Sequence, residues 1–570
     1  MGWWVAAALG AALAGCGEAA APAAPSRSGV AATRAVYDAC FAVFLPPECT
    51  AGDPALRQAA EALHAQGWTA AAANRGFREA LDGLETLAEQ RGKRFAALPA
   101  AEREAWLLEL QRSPDPRRRL LAQGLRVRFL AMIYSPPVGL RIAGLPPQPV
   151  VAADAAARVT ALRQSLPASA LRYDAARGEV AHSGGAIDVL IVGSGPAGAV
   201  LGHELRRGGK RVVLLDRGPL LVPGAADGRA MASLMESGGG RTSADGGVWF
   251  RNGQTVGGGT AVNIDLAFAP TLPLVRARIE AWRQAGRIGP EQFSQTQIAA
   301  AYAWVTGMIG TRQAGMEEVN ANNRILWEGA TREGMTPALY GLNTYAGGAG
   351  AGGVTDKRSA VEGLILTAMK DRANPLSLLP EARVMRLLWA PAAGPDRRAA
   401  GVEVEMQRPW DQPGMAGDLN GMHIPAGTRV RIAARQVILC AGTLGSAALL
   451  LNSGLDNGQI GRGIVAHPSM PLIGVFDREI RAWEGTPSTV YVADPAPAQG
   501  YVLEATSAMP AYVAGVTPGD GEHVFSLVHQ FAHLGGFGVM LIDTPSPEHR
   551  IRVGGDGEPV IEYRLSEADK

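Results

Sequence analysis

Three glycines, at positions 193, 195 and 198, have a spacing that can bind a phosphate group. The apolar run DVLIVG ends at Gly193, and GSGPAG then supplies Gly195 and Gly198. In this order the first glycine allows a tight turn, the second lets the backbone approach a pyrophosphate, and the third lets a helix pack closely on a strand. The phosphates would lie at the N-terminus of the following helix, where free N–H groups and the helix dipole favour negative charge. The spacing therefore predicts a dinucleotide site.

An acidic residue at the end of the next apolar run completes this unit. KRVVLLD predicts a second strand that ends at Asp216, where a carboxylate can accept both hydroxyls of an adenosine ribose. The order strand, glycine turn, helix, strand and acid is typical of a Rossmann-type α/β domain. We therefore expect that fold from about residue 186.

A second glycine cluster, GQTVGGGTAVN at residues 253–263, bears on which dinucleotide binds. It is too rich in glycine for an ordinary strand or helix, since each glycine weakens either element. Close approach of the backbone to a large flat ligand is its best use. FAD is long enough to contact two glycine loops, whereas an NAD-dependent dehydrogenase, the alternative, has little need of the second. The amide of Asn263, just after the loop, is positioned to bond a flavin or a substrate oxygen.

At these residues the chain resembles the glucose-methanol-choline (GMC) oxidoreductases, flavoenzymes that oxidise alcohols. AGTLGSAALLLNSGL at 441–455 is similar to the family's second signature, although Ala447 stands where Ser or Pro is usual. EARVMRL at 381–387 resembles the family strand that contacts the adenine end, and GRGIVAHP at 461–468 is a further match. The resemblance implies FAD as cofactor and hydride transfer from a CH–OH donor, with the electrons passing to an external acceptor or to O₂.

The glycine loops and these matches predict the residues that contact FAD. They are Gly193, Gly195, Gly198, Asp216, Val256, Gly258, Gly259, Asn263, Val384 and Gly442.

The catalytic base is not identified. In the family it is a His, paired with a second His or an Asn, in a segment that the resemblance places beyond Lys570. We therefore expect either a chain that is truncated at its C-terminus or, as the alternative, a flavin-binding or assembly protein without catalysis. Asn263 is the catalytic candidate within the sequence. His467 is expected to bond a loop carbonyl, and His529 and His533 are expected to pack on one helix face.

Residues 34–150 predict an all-α N-terminal module, because five runs carry apolar residues at three- and four-residue spacing. RFAALPAAEREAWLLEL followed by YSPPVG resembles subunit 3 of gluconate 2-dehydrogenase, which implies a docking module and a separate cytochrome c as electron acceptor. We expect two further domains. The FAD-binding domain comprises residues 186–270 and 356–456, and an α+β cap and substrate domain comprises residues 271–355 and 457–570.

The first residues of the chain resemble a targeting signal. The apolar stretch VAAALGAALA is too short to span a bilayer, which needs about 20 residues, and it leads into LAGC at Cys16. This resembles a bacterial lipoprotein signal over residues 1–16, although MGWWV carries no basic residue. The resemblance implies lipidation of Cys16 and anchoring at the periplasmic face of an envelope membrane; a short helix with a chance cysteine is the alternative. Residues 17–33 are expected to form a flexible tether.

Composition narrows the range of partners. The 54 basic and 53 acidic side chains nearly cancel, so no overall field attracts a polyanion and we expect no nucleic-acid partner. At 570 residues and 47% hydrophobic content, the chain can bury cores in two or three domains. Its four cysteines form no CxxC pair, so we expect no metal site. Whether Cys40 and Cys49 form a disulfide is left open.

Two groups of motifs point to different alcohols. VGGGTAVN and GRGIVAHP look closer to the cholesterol oxidase and long-chain alcohol oxidase branch of the family, which favours an apolar alcohol. The helical module favours a sugar acid or a polyol instead. The sequence leaves this conflict open.

Overall fold

The structure is a computed structural model. It describes residues 30–570 apart from 74, 135–137, 146–153, 224–233, 237–239, 269, 271–272, 345–356, 392–396, 408–413, 494–499, 507–509, 518, 520 and 568. The signal and Cys16 lie outside the described residues, as does most of the expected tether. The first helix begins at Val30, inside the stretch expected as tether.

The helices of the described residues are α1 (Val30–Phe44), α2 (Pro47–Thr50), α3 (Pro54–Ala73), α4 (Arg75–Glu89), α5 (Ala100–Gln111), α6 (Pro116–Ile133), α7 (Val138–Ile142), α8 (Ala155–Ser165), α9 (Pro196–Arg207), α10 (Gly259–Val262), α11 (Pro273–Gln284), α12 (Gln295–Ile309), α13 (Ala321–Arg332), α14 (Leu366–Lys370), α15 (Gly442–Asn452), α16 (Pro510–Val516) and α17 (Gly521–His529).

The strands are β1 (Leu171–Asp174), β2 (Glu179–His182), β3 (Ile187–Val192), β4 (Val212–Leu215), β5 (Leu220–Leu221), β6 (Arg241–Thr242), β7 (Trp249–Phe250), β8 (Leu266–Ala267), β9 (Arg312–Gln313), β10 (Ala338–Leu339), β11 (Gly341–Leu342), β12 (Ser377–Leu379), β13 (Ala382–Trp389), β14 (Ala399–Met406), β15 (Met415–Ala416), β16 (Arg429–Leu439), β17 (Ser469–Val475), β18 (Val490–Ala493), β19 (Tyr501–Ala505), β20 (Leu534–Leu541), β21 (Arg550–Val553) and β22 (Pro559–Glu562).

The N-terminal helices form the predicted all-α module, and the five apolar runs that the sequence analysis counted there correspond to α1, α3, α4, α5 and α6. Local signals set their ends. The carboxylate of Asp115 accepts a hydrogen bond from the backbone N–H of Arg117, and Pro116 occupies the first turn of α6. The apolar faces meet around Phe129, whose ring lies 5.3 Å from that of Tyr37 and 5.5 Å from that of Phe44.

A parallel sheet with the strand order β16-β3-β4-β12 forms the predicted α/β unit. Successive residues of β3 are buried on opposite faces, one against α9 and α14 and the other against α15 and the β13–β14 hairpin. Val192 and Leu215, which end β3 and β4, are paired in the ladder. Gly193 and Asp216 therefore leave the sheet side by side, at its carboxyl edge, where open α/β sheets bind ligands.

A second, antiparallel sheet has the order β10-β18-β19-β20-β17 and leaves β17 at an edge. Helix α13 packs against one of its faces through Leu326 and Ala330. The α/β class, the additional sheet and the helical N-terminal region agree with the predicted fold class.

The core of the helical module continues into the C-terminal half of the chain. Side chains of α16 and α17, followed by Phe531 and Leu534, belong to the same apolar cluster as the aromatic residues of α1 and α6. The sequence did not indicate this packing, because the two parts are far apart along the chain. Across the described residues, no helix combines the length and the apolar composition needed to cross a bilayer.

Candidate functional site

The first glycine turn is built as its spacing predicts. Gly193 has a φ of +98°, a conformation that favours glycine, and a Cβ added there would overlap the carbonyl group of Cys440. A Cβ added at Gly198 would overlap the carbonyl oxygen of Gly193, so only glycine lets α9 approach the turn this closely. These two positions are set by the fold itself.

The second glycine loop lies directly against the first. Gly258 has a φ of +52°, and a Cβ added to it would lie 2.9 Å from the Cα of Gly195. The N–H of Gly257 donates to the hydroxyl of Ser194 over 3.0 Å. A Cβ added at Gly195 or Gly259 would meet no protein atom within 4 Å. Together the loops form a cradle of exposed backbone that is open on one side, which is the shape a pyrophosphate needs.

Asp216 is buried beside this cradle. One oxygen accepts the backbone N–H and the hydroxyl of Ser194, at 3.0 and 2.6 Å, and the other accepts the N–H of Gly218 at 2.8 Å. Burial raises the pKa of Asp216, and the donors from Ser194 and Gly218 oppose that rise. Ser194 thus joins the acid to the second loop. It was not singled out from the sequence, although it lies within the motif GSGPAG.

The cradle opens into a cavity of about 1780 Å³, larger than the roughly 300–1,000 Å³ of an ordinary small-molecule site. Two of the expected contacts lie elsewhere: Gly198 packs α9 on the turn, and the side chain of Val256 is 1% exposed in the core beneath the loop. The others line the cavity together: Gly193, Gly195, Asp216, Gly258, Gly259, Asn263, Val384 and Gly442.

A network of charges closes the end of the cavity next to Asp216. Glu558, between β21 and β22, pairs with Arg217 at 3.2 Å, with Arg383 at 2.6 Å, and with Arg241. Arg241 also pairs with Glu236 at 2.7 Å. Burial works against the charge on Glu558, but the three arginines hold its pKa below the ordinary value. Sequence reasoning missed this network, because its members come from four distant segments.

Asn263 lies where the second loop leaves the cradle. Its backbone oxygen and its amide oxygen both accept hydrogen bonds from Nζ of Lys357, at 2.6 and 2.7 Å. The same Nζ lies 3.2 Å from a carboxylate oxygen of Asp265. Lys357 therefore holds the side-chain amide of Asn263, the catalytic candidate, in place. Lys357 follows the glycine-rich residues 345–356, which lie outside the described residues, and nothing in the sequence marked it.

One wall of the cavity is the face of the antiparallel sheet opposite α13. Gly536 and Gly538 of β20 line the cavity at this face, and Glu504 of β19 pairs with Gly538 across the ladder. The hydroxyl of the buried Tyr340 donates to Glu504 over 3.4 Å. Burial raises the pKa of Glu504, and the donor from Tyr340 lowers it in part. Glu504 was missed from the sequence; its signal is a single carboxylate within the otherwise apolar strand YVLEA.

The edge strand β17 adds an apolar margin to the cavity. Met470, Leu472 and Ile473 line it and are 64%, 46% and 37% exposed. Exposed apolar side chains that adjoin one another commonly mark a binding groove. This margin is suited to an alkyl group.

Comparison with known families decides between the dinucleotides. The family model of GMC oxidoreductases matches residues 231–469, and that of an FAD-binding domain matches residues 186–231. These matches identify residues 186–469 as the FAD-binding and GMC oxidoreductase part of the chain. FAD is its cofactor, and the two glycine loops that meet at the cradle are the part of the cavity that fits the cofactor's pyrophosphate.

Among the relatives is the long-chain-alcohol oxidase FAO1 of Arabidopsis thaliana, 27% identical over 67% of this chain and 49% of that protein. An uncharacterised GMC-type oxidoreductase of Mycobacterium tuberculosis is 27% identical over 66% of this chain and 56% of its own length. The chain thus spans about half the length of the curated relatives it matches. Pyridoxine 4-oxidase of Mesorbium loti, a solved structure, is 17% identical with a TM-score of 0.48, covering 67% of this chain and 77% of that one.

The histidines of this chain are only partly as expected. His467 lines the cavity and is exposed. His529 is the last residue of α17, whereas His533 lies in a 3₁₀ turn and its Nδ1 is 2.9 Å from the carbonyl oxygen of Phe476. The prediction that His529 and His533 share one helix face was therefore wrong, because the chain leaves the helix to enter β20.

The three cysteines of the described residues are not joined by a disulfide. Cys40 is buried and is not joined to Cys49 by a disulfide. Cys440 follows β16 and lines the cavity below the first glycine turn. In the described part of the chain, no group of His, Cys, Asp and Glu side chains could hold a metal ion.

Proposed function

We propose that this protein oxidises an apolar primary or secondary alcohol. The observation that carries the proposal is a single cavity that holds the FAD cradle at one end and exposed apolar side chains of β17 along its margin. FAD, when bound, supplies the hydride acceptor. The protein's own residues bind the cofactor, exclude water and take up the hydroxyl proton.

The cofactor is held by backbone more than by side chains. Gly195 and Gly259 present open backbone to the pyrophosphate, and the N-terminus of α9 favours its negative charge. Asp216 is placed to accept the ribose hydroxyls, and Glu558 closes the adenine end through its arginines. Asn263, held by Lys357, offers its amide N–H group to the flavin or to the substrate oxygen.

Loss of a hydride from carbon requires that the hydroxyl proton is also accepted. Within the described part of the cavity wall, Glu504 and Asp569 are carboxylates that do not belong to the charge network around Glu558. Glu504 lies on the sheet face, and its raised pKa brings it closer to the working range of a base. We assign the proton to Glu504, with Tyr340 as the donor that orients the carboxylate. The His that the family resemblance implies is the competing assignment.

An apolar substrate is supported by Met470, Leu472 and Ile473 on β17, and by the relative named as a long-chain-alcohol oxidase. An alkyl chain that lies along this strand gains about 0.8 kcal/mol for each buried CH₂, roughly fourfold in affinity. Sugar acids and polyols would leave hydroxyl groups against these side chains without partners.

The test is steady-state reduction of a dye acceptor by the purified protein with linear alkanols from butanol to dodecanol, with a sterol, and with gluconate. We expect kcat/KM to rise with alkanol length and to be negligible for gluconate. Higher activity with gluconate than with any alkanol would overturn the assignment of an apolar substrate. Turnover of no alcohol, by protein that retains flavin, would overturn the proposed reaction.

A further inference from the structure

Helix α16 contributes both to the core of the N-terminal module and to the wall of the cavity. Its residues Ala511, Val513 and Ala514 are at most 3% exposed and are part of the core of the N-terminal helical module. Tyr512, Val513 and Val516 of the same helix line the cavity that holds the FAD cradle. A shift of this helix therefore changes the shape of the cavity.

One side chain of the N-terminal module fixes the end of α16. Arg126 of α6 is 7% exposed; it donates from Nη1 to the carbonyl oxygen of Gly515 over 2.9 Å and from Nη2 to that of Thr517. Carbonyl groups in the last turn of a helix have no partner within the helix, and they attract a positive charge. Burial lowers the pKa of Arg126 to about 10, so its guanidinium remains charged at neutral pH. The contact joins residues almost 400 positions apart.

Arg126 provides the polar link between the N-terminal module and the end of α16. Within the described part, the polar contacts that reach the carbonyl groups at its C-terminus from another element are those of Arg126. On the cavity side, the guanidinium of Arg251 lies 5.8 Å from the ring centre of Tyr512, a weaker contact.

We propose that the N-terminal helical module is a specificity element of the oxidase site, and that Arg126 is its positioning residue. The module carries α16 as one wall of the cavity and so sets the size of alcohol that the cavity accepts. This role differs from that of a surface used only to dock a partner. It rests on the proposed function for its substrate, but the position of α16 can be measured without turnover.

The experiment compares Arg126→Met, which keeps the volume and removes both donors, with Arg117→Met, a change at an exposed arginine of the same helix. In the full-length protein we expect Arg126→Met to keep its flavin content. Because hydrogen bonds to a charged group are lost, its KM for 1-dodecanol should rise about tenfold or more, with a smaller change for 1-butanol. Hydrogen–deuterium exchange should become faster in peptides that cover α16. Arg126→Lys, which can reach one carbonyl, should lie between the two.

If Arg126→Met does not fold, Val516→Phe enlarges a side chain of the same wall and keeps Arg126 itself. It should lower kcat/KM for 1-dodecanol more than for 1-butanol, and an equal effect on both alcohols would overturn the inference. KM values and exchange rates of Arg126→Met that match those of Arg117→Met would also overturn it. If the wild-type protein oxidises no alcohol, the proposed function fails. The inference is then decided by exchange in α16 and by the flavin difference spectrum on adding 1-dodecanol, where equal results for both variants refute it.

Discussion

Replacing Gly195 by leucine should abolish cofactor binding and leave the fold intact. Gly195 precedes α9 with a φ of −59°, which any residue adopts, and an added Cβ meets no protein atom within 4 Å. The unfolded chain loses freedom when glycine is replaced at such a position, which stabilises the fold by about 0.4–1 kcal/mol. The leucine side chain instead fills the open side of the cradle, where the pyrophosphate must lie.

The expected loss of affinity follows from the bonds that the side chain blocks. A hydrogen bond from a backbone N–H to a charged group contributes about 1.5–3 kcal/mol. Loss of two such bonds weakens FAD binding by roughly 100-fold to 10,000-fold. Purified Gly195→Leu should therefore be colourless, whereas the wild-type protein is yellow.

The assay measures flavin per chain by absorbance and thermal unfolding by circular dichroism. Gly329→Leu is the matched control, because an added Cβ at Gly329 also meets nothing within 4 Å and this glycine lies in α13, outside the cavity lining. Bound FAD raises the Tm of the wild-type protein, so the reference for Gly195→Leu is wild-type protein stripped of flavin. Full flavin occupancy in Gly195→Leu, or its failure to fold while Gly329→Leu folds, would refute the geometry of the cradle.

Four further substitutions test other parts of the account. Asp216→Asn should keep the bond from the Ser194 hydroxyl but weaken FAD binding about tenfold, since a charge-assisted bond to the ribose is lost; unchanged binding in a flavin titration would contradict this role. Glu504→Gln should lower kcat about 10²- to 10⁴-fold. It should also remove the acidic limb of the pH–rate profile, because the wild-type rate falls as pH drops through the raised pKa of Glu504. Tyr340→Phe should shift that limb to higher pH, and an unaltered limb in Glu504→Gln would assign the proton elsewhere. Cys16→Ser should release the protein from the membrane fraction if Cys16 is lipidated as we propose, because each buried CH₂ of an acyl chain contributes about 0.8 kcal/mol; retention of the variant on membranes would count against the anchor.

Local chemistry explains what the sequence predicted correctly. The roles of Gly193 and Gly198 follow from turn and packing constraints that act within one βαβ unit. The helices of the N-terminal module follow from apolar periodicity within each run. Asp216 lies beside the cradle because paired parallel strands end at the same edge. Each of these features depends on residues that are near in sequence.

Long-range contacts explain what the sequence could not predict. The partners of Glu558 come from segments more than 150 residues away, and Lys357 reaches Asn263 across 94 positions. The apolar periodicity of the sequence does not predict that α16 packs in the core of the N-terminal module. Val256 was expected at the cofactor because of its place in the loop, but its side chain turns into the core, a direction that spacing alone does not fix.

The most direct test of the central claim is anaerobic addition of 1-dodecanol to the purified yellow protein while the visible flavin band is recorded. Reduction of bound FAD by hydride from the alcohol predicts that the band bleaches in the wild-type protein, and much more slowly in Glu504→Gln. A band that stays unchanged with every alkanol, in protein that dithionite still bleaches, would contradict the account.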